Sequence, residues 1–199
     1  MTTAYCFDLD GTVTREEILP VLSRRVGLYE EISALTEATL KGLIPFRKSF
    51  LLRCRLLRDL PISEVQATIA NIPLHQNIVD FIRARRDVCY IVTGNLDVWV
   101  RPLQELLGCR FHWSSASVVD DRLQSVDHVL HKGDAVKSLR RDFDRIVAVG
   151  DGMGDVPMFE EADVRIAFGG THTPIQSLIE YTDYVTFDDK ALCTLLSTQ

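Results

Sequence analysis

Short apolar runs alternating with amphipathic stretches predict an α/β fold: a three-layer, Rossmann-like parallel sheet with helices on both faces. The runs at 4–7, 88–92, 111–119, 145–149, 164–168 and 184–187 read as strands, and 78–86, 98–107 and 134–143 read as helices. A second observation is the interruption at 15–75, where helical patterns (16–25, 29–40, 45–58, 63–70) follow one another with no convincing strand. A third is that acidic and hydroxyl residues cluster just after three of the strands, where an open parallel sheet places its ligands.

The first such cluster follows the run 4–7. Asp8 and Asp10 lie two positions apart before Gly11-Thr12, so in extended backbone they would share a face. Two carboxylates that close need a cation or a shared proton. The pair suits a carboxylate nucleophile beside a proton-managing acid, with Mg²⁺ offsetting the charge. The same residues also make an ordinary turn. After the run 88–92 come Thr93, Gly94 and Asn95, which can offer a phosphate a hydroxyl and close backbone N–H groups. Lys132 opens the helical stretch after His131 and would be a point charge for a phosphoryl oxygen. Finally, the apolar run 146–149 feeds Gly150-Asp151-Gly152-Met153-Gly154-Asp155, whose acids are oxygen ligands or orienters for a hard cation.

Taken in this order, Asp8-Leu9-Asp10-Gly11-Thr12, Thr93, Lys132 and the loop 150–155 resemble the motifs of the haloacid dehalogenase superfamily of phosphohydrolases. The likeness covers most of the chain. Through 40–60, with Phe46, Arg53 and Leu56-Leu57-Arg58-Asp59-Leu60-Pro61 at matching spacing, it is most similar to the phosphoserine phosphatase branch. The resemblance implies a catalytic core of 1–14 and 76–199, with 15–75 inserted as a helical cap that closes over the site. It also implies a mechanism. Asp8 attacks phosphorus to give an aspartyl-phosphate, Asp10 protonates the leaving alkoxide and then activates water, and Thr93 and Lys132 grip the phosphoryl group. Mg²⁺ would be held by Asp8, Asp151 and the main-chain carbonyl of Asp10, with Asp155 orienting the metal shell.

By the same resemblance Glu17 meets a substrate ammonium, Arg53 its carboxylate, and Phe46 forms an apolar wall. Read alone, Glu17 is also a first-turn acid favouring a helix dipole, and Arg53 a solvated helix face. The chain departs from the branch at Gly11 (commonly serine), Leu40 (commonly methionine), Asn95 (usually glycine) and Gly154 (usually asparagine). The expected activity is therefore a phosphomonoesterase on a small phosphorylated metabolite, phosphoserine favoured. Its rivals are a phosphosugar or amino-alcohol phosphatase, a phosphotransferase, and a non-catalytic phosphate-binding module.

Composition agrees. The 199 residues suffice for one core plus an insertion, and the net charge of −6 without a basic block argues against nucleic acid. Five scattered cysteines read as reduced thiols, and no apolar run approaches a membrane span. A cytoplasmic monomer or homodimer, away from membranes, is expected.

Overall fold

Seven strands form one sheet in the computed structural model, which describes residues 2–199. They are β1 (Thr3–Phe7), β2 (Cys89–Leu96), β3 (Arg110–Val119), β4 (Arg122–His128), β5 (Arg145–Gly150), β6 (Val164–Phe168) and β7 (Tyr184–Thr186). Their order is β4-β3-β2-β1-β5-β6-β7, and all neighbours are parallel except the antiparallel β3–β4 pair. The chain thus builds outward from β1 in both directions, which makes the carboxyl end of β1 a topological switch point.

Central strands are buried on both faces, which is why they read as unbroken apolar runs. On one face Phe7, Val147, Val149, Ile166 and Phe168 join the larger core, with α5 (Gln76–Ala84), α6 (Asp97–Leu107) and α10 (Asp189–Leu196). Their alternates Ala4, Cys6, Ile146, Ala148 and Ala167 pack beneath α7 (Lys132–Leu139), α8 (Val156–Glu160) and α9 (Gln176–Ile179). The period of two along each strand therefore produces the three layers.

Between β1 and α5 the chain forms α1 (Ile18–Ser23), α2 (Tyr29–Leu40), α3 (Phe46–Leu57) and α4 (Ile62–Ile69). It leaves and returns at one point: Thr14 bridges Leu74, Arg15 N–H donates to Pro73 O, and His75 N–H donates to Val13 O. Ile18, Leu22, Ile32, Phe50, Leu57 and Ile69 of these helices extend the larger core.

One sequence expectation needs correction, and one strand was missed. Asp8 and Asp10 do not share a strand face, because β1 ends at Phe7 and residues 9–13 turn back, with Val13 and Thr14 N–H donating to Leu9 O. Gly11 makes this turn at φ +70°, a conformation that disfavours side chains. Thr93, Gly94 and Asn95 lie at the carboxyl end of β2, which runs past its apolar stretch to Leu96. β4 was not anticipated: it pairs with β3 through Asp120 and Asp121, both at positive φ, a two-residue hairpin made without glycine. No helix among the described residues is long and apolar enough to cross a membrane.

Candidate active site

The registers Phe7↔Ile91 and Phe7↔Val149 align the carboxyl ends of β1, β2 and β5. Asp8 follows β1, its N–H bonded to Val149 O at 2.9 Å, and Asp151 follows β5. Between this edge and the helical insertion lies a small cavity of about 70 Å³. Its walls include Asp8, Asp10, Gly94, Asn95, Lys132, Asp151 and Asp155 from the sheet side, and Glu17, Phe46 and Arg53 from the insertion. Residues separated by more than a hundred positions thus meet in one place.

Lys132, at the start of α7, is the cationic centre. Its Nζ donates to Asp8 Oδ1 at 2.5 Å and to Asp155 Oδ1 at 2.6 Å. Burial alone would lower its pKa, yet the carboxylates of Asp155 and Asp8 raise it, so it stays charged. The other oxygen of Asp155 accepts the N–H groups of Asp151 and Gly152 at 3.0 and 3.1 Å, which folds the acidic loop around it.

Asp151 is different. Both its carboxylate oxygens are buried and have no hydrogen-bond partner. Asp8, Asp151 and Asp155 each offer an oxygen, all within 4.8 Å of one another. Burial first, then neighbouring acids, push Asp8 and Asp151 well above the usual carboxylate range. An all-oxygen cluster carrying unanswered negative charge suits a hard divalent cation. Gly11 makes room for it, because a Cβ there would fall 2.1 Å from Asp151 Oδ2.

Asp10 is held by two donors. Ile18 N–H reaches Oδ1 at 2.9 Å, and Asn95 Nδ2 donates to Oδ2. Burial, then the charge of Glu17, pushes Asp10 up to about 7, so both its protonated and ionised forms are populated near neutrality. The sequence offers Asn95 to a phosphate together with Thr93 and Gly94, but its amide donates instead to Asp10, a contact nothing in the sequence marks. Thr93 is fully buried behind the cavity wall, and its Oγ1 accepts from Asn95 N–H and Nδ2 at 3.1 and 3.3 Å.

The insertion contributes the remaining wall. Phe46 stacks on Phe50 with centroids 5.3 Å apart and leans over Gly94, where a Cβ would meet Phe46 Cζ at 2.1 Å. Arg53 is 4 % exposed, not a solvated helix face. Its guanidinium donates to Thr36 Oγ1 at 2.7 Å and Ser49 O at 3.4 Å, both neutral acceptors. Burial lowers its pKa, opposed by Glu17 and Asp10. Glu17 precedes α1 without capping it, and its Oε1 meets His172 Nε2 at 3.0 Å. His172, from the loop between β6 and α9, is the site residue the sequence reading missed. It also borders a larger adjoining cavity of about 600 Å³ that shares Glu17, Thr36, Leu40 and Asp151 with the smaller one.

Comparison with known proteins agrees with this geometry. The haloacid dehalogenase-like hydrolase family matches residues 6–160. Phosphoserine phosphatase of Methanocaldococcus jannaschii is 30 % identical over 175 residues, covering 81 % of this chain and 83 % of that protein. The Homo sapiens phosphoserine phosphatase is 27 % identical over 184 residues, 84 % of this chain and 81 % of the other. A solved phospho-aspartyl intermediate analogue of phosphoserine phosphatase superposes with a TM-score of 0.83 at 26 % identity, covering 98 % of both chains. A substrate-bound phosphoserine phosphatase complex gives the same TM-score and identity, covering 98 % of this chain and 97 % of the other. The chain therefore belongs to the haloacid dehalogenase-like hydrolases, as a phosphatase of the phosphoserine phosphatase-like kind.

Proposed function

We propose that the chain is a Mg²⁺-dependent phosphomonoester hydrolase that works through an aspartyl-phosphate on Asp8, with phosphoserine its favoured substrate. The observation that carries this reading is the convergence of Asp8, Asp10, Lys132, Asp151 and Asp155 on one cavity with Glu17, Phe46 and Arg53. Asp8 Oδ1 is held by Lys132, leaving Oδ2 to attack phosphorus. Asp10 carries the proton that the leaving serine alkoxide takes, and afterwards accepts one from the attacking water. Lys132 would hold the phosphoryl oxygens beside Gly94, while Thr93, behind the wall, fixes Asn95 and Asn95 keeps Asp10 aimed. Asp8, Asp151 and the main-chain carbonyl of Asp10 would hold Mg²⁺, with Asp155 orienting the loop. Bound there, the ion supplies positive charge against the phosphoryl group and these carboxylates.

Substrate choice rests on the insertion, residues 15–75, acting as a cap. Arg53 is a buried cation bonded only to neutral acceptors, which suits a substrate carboxylate. Glu17 supplies a carboxylate for the ammonium, and Phe46 the apolar wall. One observation favours a second reading, an ester without an amine: His172 already engages one oxygen of Glu17. Location in the cytoplasm accords with five free cysteines, four of them buried.

Phosphate release from L-phosphoserine, measured with Mg²⁺ and with EDTA beside a panel of small phosphomonoesters, tests the reading. Mg²⁺-dependent release strongest for phosphoserine is the expected result. Release from other esters only would retain the chemistry and discard the substrate. No release from any ester would leave a phosphate-binding module.

A further inference from the structure

We propose that His172 is a positioning residue for substrate selection: it pins Glu17 through Oε1 so that Oε2 faces the substrate ammonium. The proposal rests on the phosphoserine reading above. A carboxylate only accepts hydrogen bonds, so the 3.0 Å contact requires His172 Nε2 to carry the proton and donate it. This is the one hydrogen bond of the Glu17 side chain among the described residues, since Glu17 makes no cap to α1. Glu17 also faces like charges, because its field bears on Asp10 and Asp151. Arg53 attracts Glu17 across the cavity but makes no hydrogen bond to it, so without a donor this three-torsion side chain has no contact that fixes its orientation at the wall.

The loop bearing His172 is built to hold it there. Thr171 Oγ1 donates to Thr14 O at 3.4 Å and lies 3.0 Å from His75 Nε2. His75 is 4 % exposed and packs edge-on to Phe168 at 4.9 Å. The imidazole itself fills space that a side chain at position 11 would need, since a Cβ on Gly11 would lie 3.0 Å from His172 Cδ2. Gly11, Glu17 and His172 are therefore one arrangement, and His172 lies beyond residues 6–160, where the family match ends.

The test is steady-state kinetics of the wild type, His172→Ala and His172→Gln. The substrates are L-phosphoserine and 3-phosphooxypropanoate, the same ester without the amine. Loss of the pin should raise KM for phosphoserine about tenfold in His172→Ala, the cost of ordering one flexible side chain. The KM of the amine-free ester should stay unchanged, and because His172 Nε2 also lies 4.0 Å from Asp151 Oδ2, any fall in kcat should be equal on the two esters. His172→Gln keeps an N–H donor at similar reach and should restore most of the discrimination. An equal KM change on both esters, or a lower KM for phosphoserine in His172→Ala, would overturn the role of His172. Should the wild type show no preference for the amine-bearing ester, the substrate reading fails, and this proposal with it.

Discussion

Lys132 and Asp8 form a buried ion pair, Nζ to Oδ1 at 2.5 Å, with side chains only 11 % and 10 % exposed. Asp155 closes the same cation from the other side at 2.6 Å. Removing one partner of a buried pair leaves uncompensated charge, which costs about 3–5 kcal/mol. Lys132→Met should therefore lower Tm by about 6–20 °C in a chain this size. It should also reduce kcat about 10²–10³-fold, as loss of a charge-stabilising donor does. Calorimetry and phosphate release read the two effects.

Asp10 is fixed by Ile18 N–H and Asn95, and is pushed up to about 7, where it can both give and take a proton. As the acid for a poor leaving group, it should contribute about 10²–10⁴-fold. Asp10→Asn should show that loss on an alkyl phosphate. In kcat/KM, which ends at release of the leaving group and so omits the later water step, it should lose far less on p-nitrophenyl phosphate, whose leaving group needs no proton. Equal losses in kcat/KM on both esters would remove Asp10 from protonation of the leaving group.

The acidic cluster sets a pH dependence with a definite sign. Asp10 moves from 3.8 to about 7 on folding, and Asp8 and Asp151 move in the same direction. Between those values the folded state binds more protons than the unfolded one, so this part of the stability is full below about pH 4 and is lost as pH rises through 7. Mg²⁺ should reverse the loss. At a hundredfold excess over Kd it adds about 2.7 kcal/mol, or about 5–10 °C. Thermal melts should show a larger Mg²⁺ shift at pH 8 than at pH 5, and none in Asp151→Asn.

Gly11 is required twice, for its φ of +70° and for the Asp151 carboxylate 2.1 Å from where a Cβ would stand. Gly11→Ala should cost about 1–3 kcal/mol of stability. By displacing Asp151 it should also remove the Mg²⁺ shift in Tm, which a purely local strain would leave intact.

Arg53 is buried against Thr36 and Ser49 with no acidic partner in hydrogen-bond contact among the described residues. Arg53→Ala should raise KM for phosphoserine about 10²-fold, the scale of a desolvated charge pair. Phosphoethanolamine, which lacks the carboxylate, should be little affected. Equal KM increases on both esters would remove Arg53 from substrate recognition.

Much of this was legible in the sequence because the central strands are buried on both faces and announce themselves as apolar runs. The helix 29–40 was placed to the residue. β4 escaped because only Leu123 of its seven residues is buried, so no alternation marks it. The extension of β2 through Thr93, Gly94 and Asn95 to Leu96 was not marked, because polar residues at a strand end carry no hydropathy signal. Asp8, Lys132 and Asp151 could be read from motif order, but the contacts of Asn95 with Asp10 and His172 with Glu17 span 85 and 155 residues. A lone histidine in Gly169-Gly170-Thr171-His172 carries no local signal of such a partner.

The most direct test of the central claim is mass spectrometry of the enzyme acid-quenched during turnover of phosphoserine with Mg²⁺. The account predicts a phosphoryl increment on the peptide 4–15, localised to Asp8 and lost in Asp8→Asn. Turnover with an unmodified Asp8, or an Asp8→Asn variant that still releases phosphate, would contradict it.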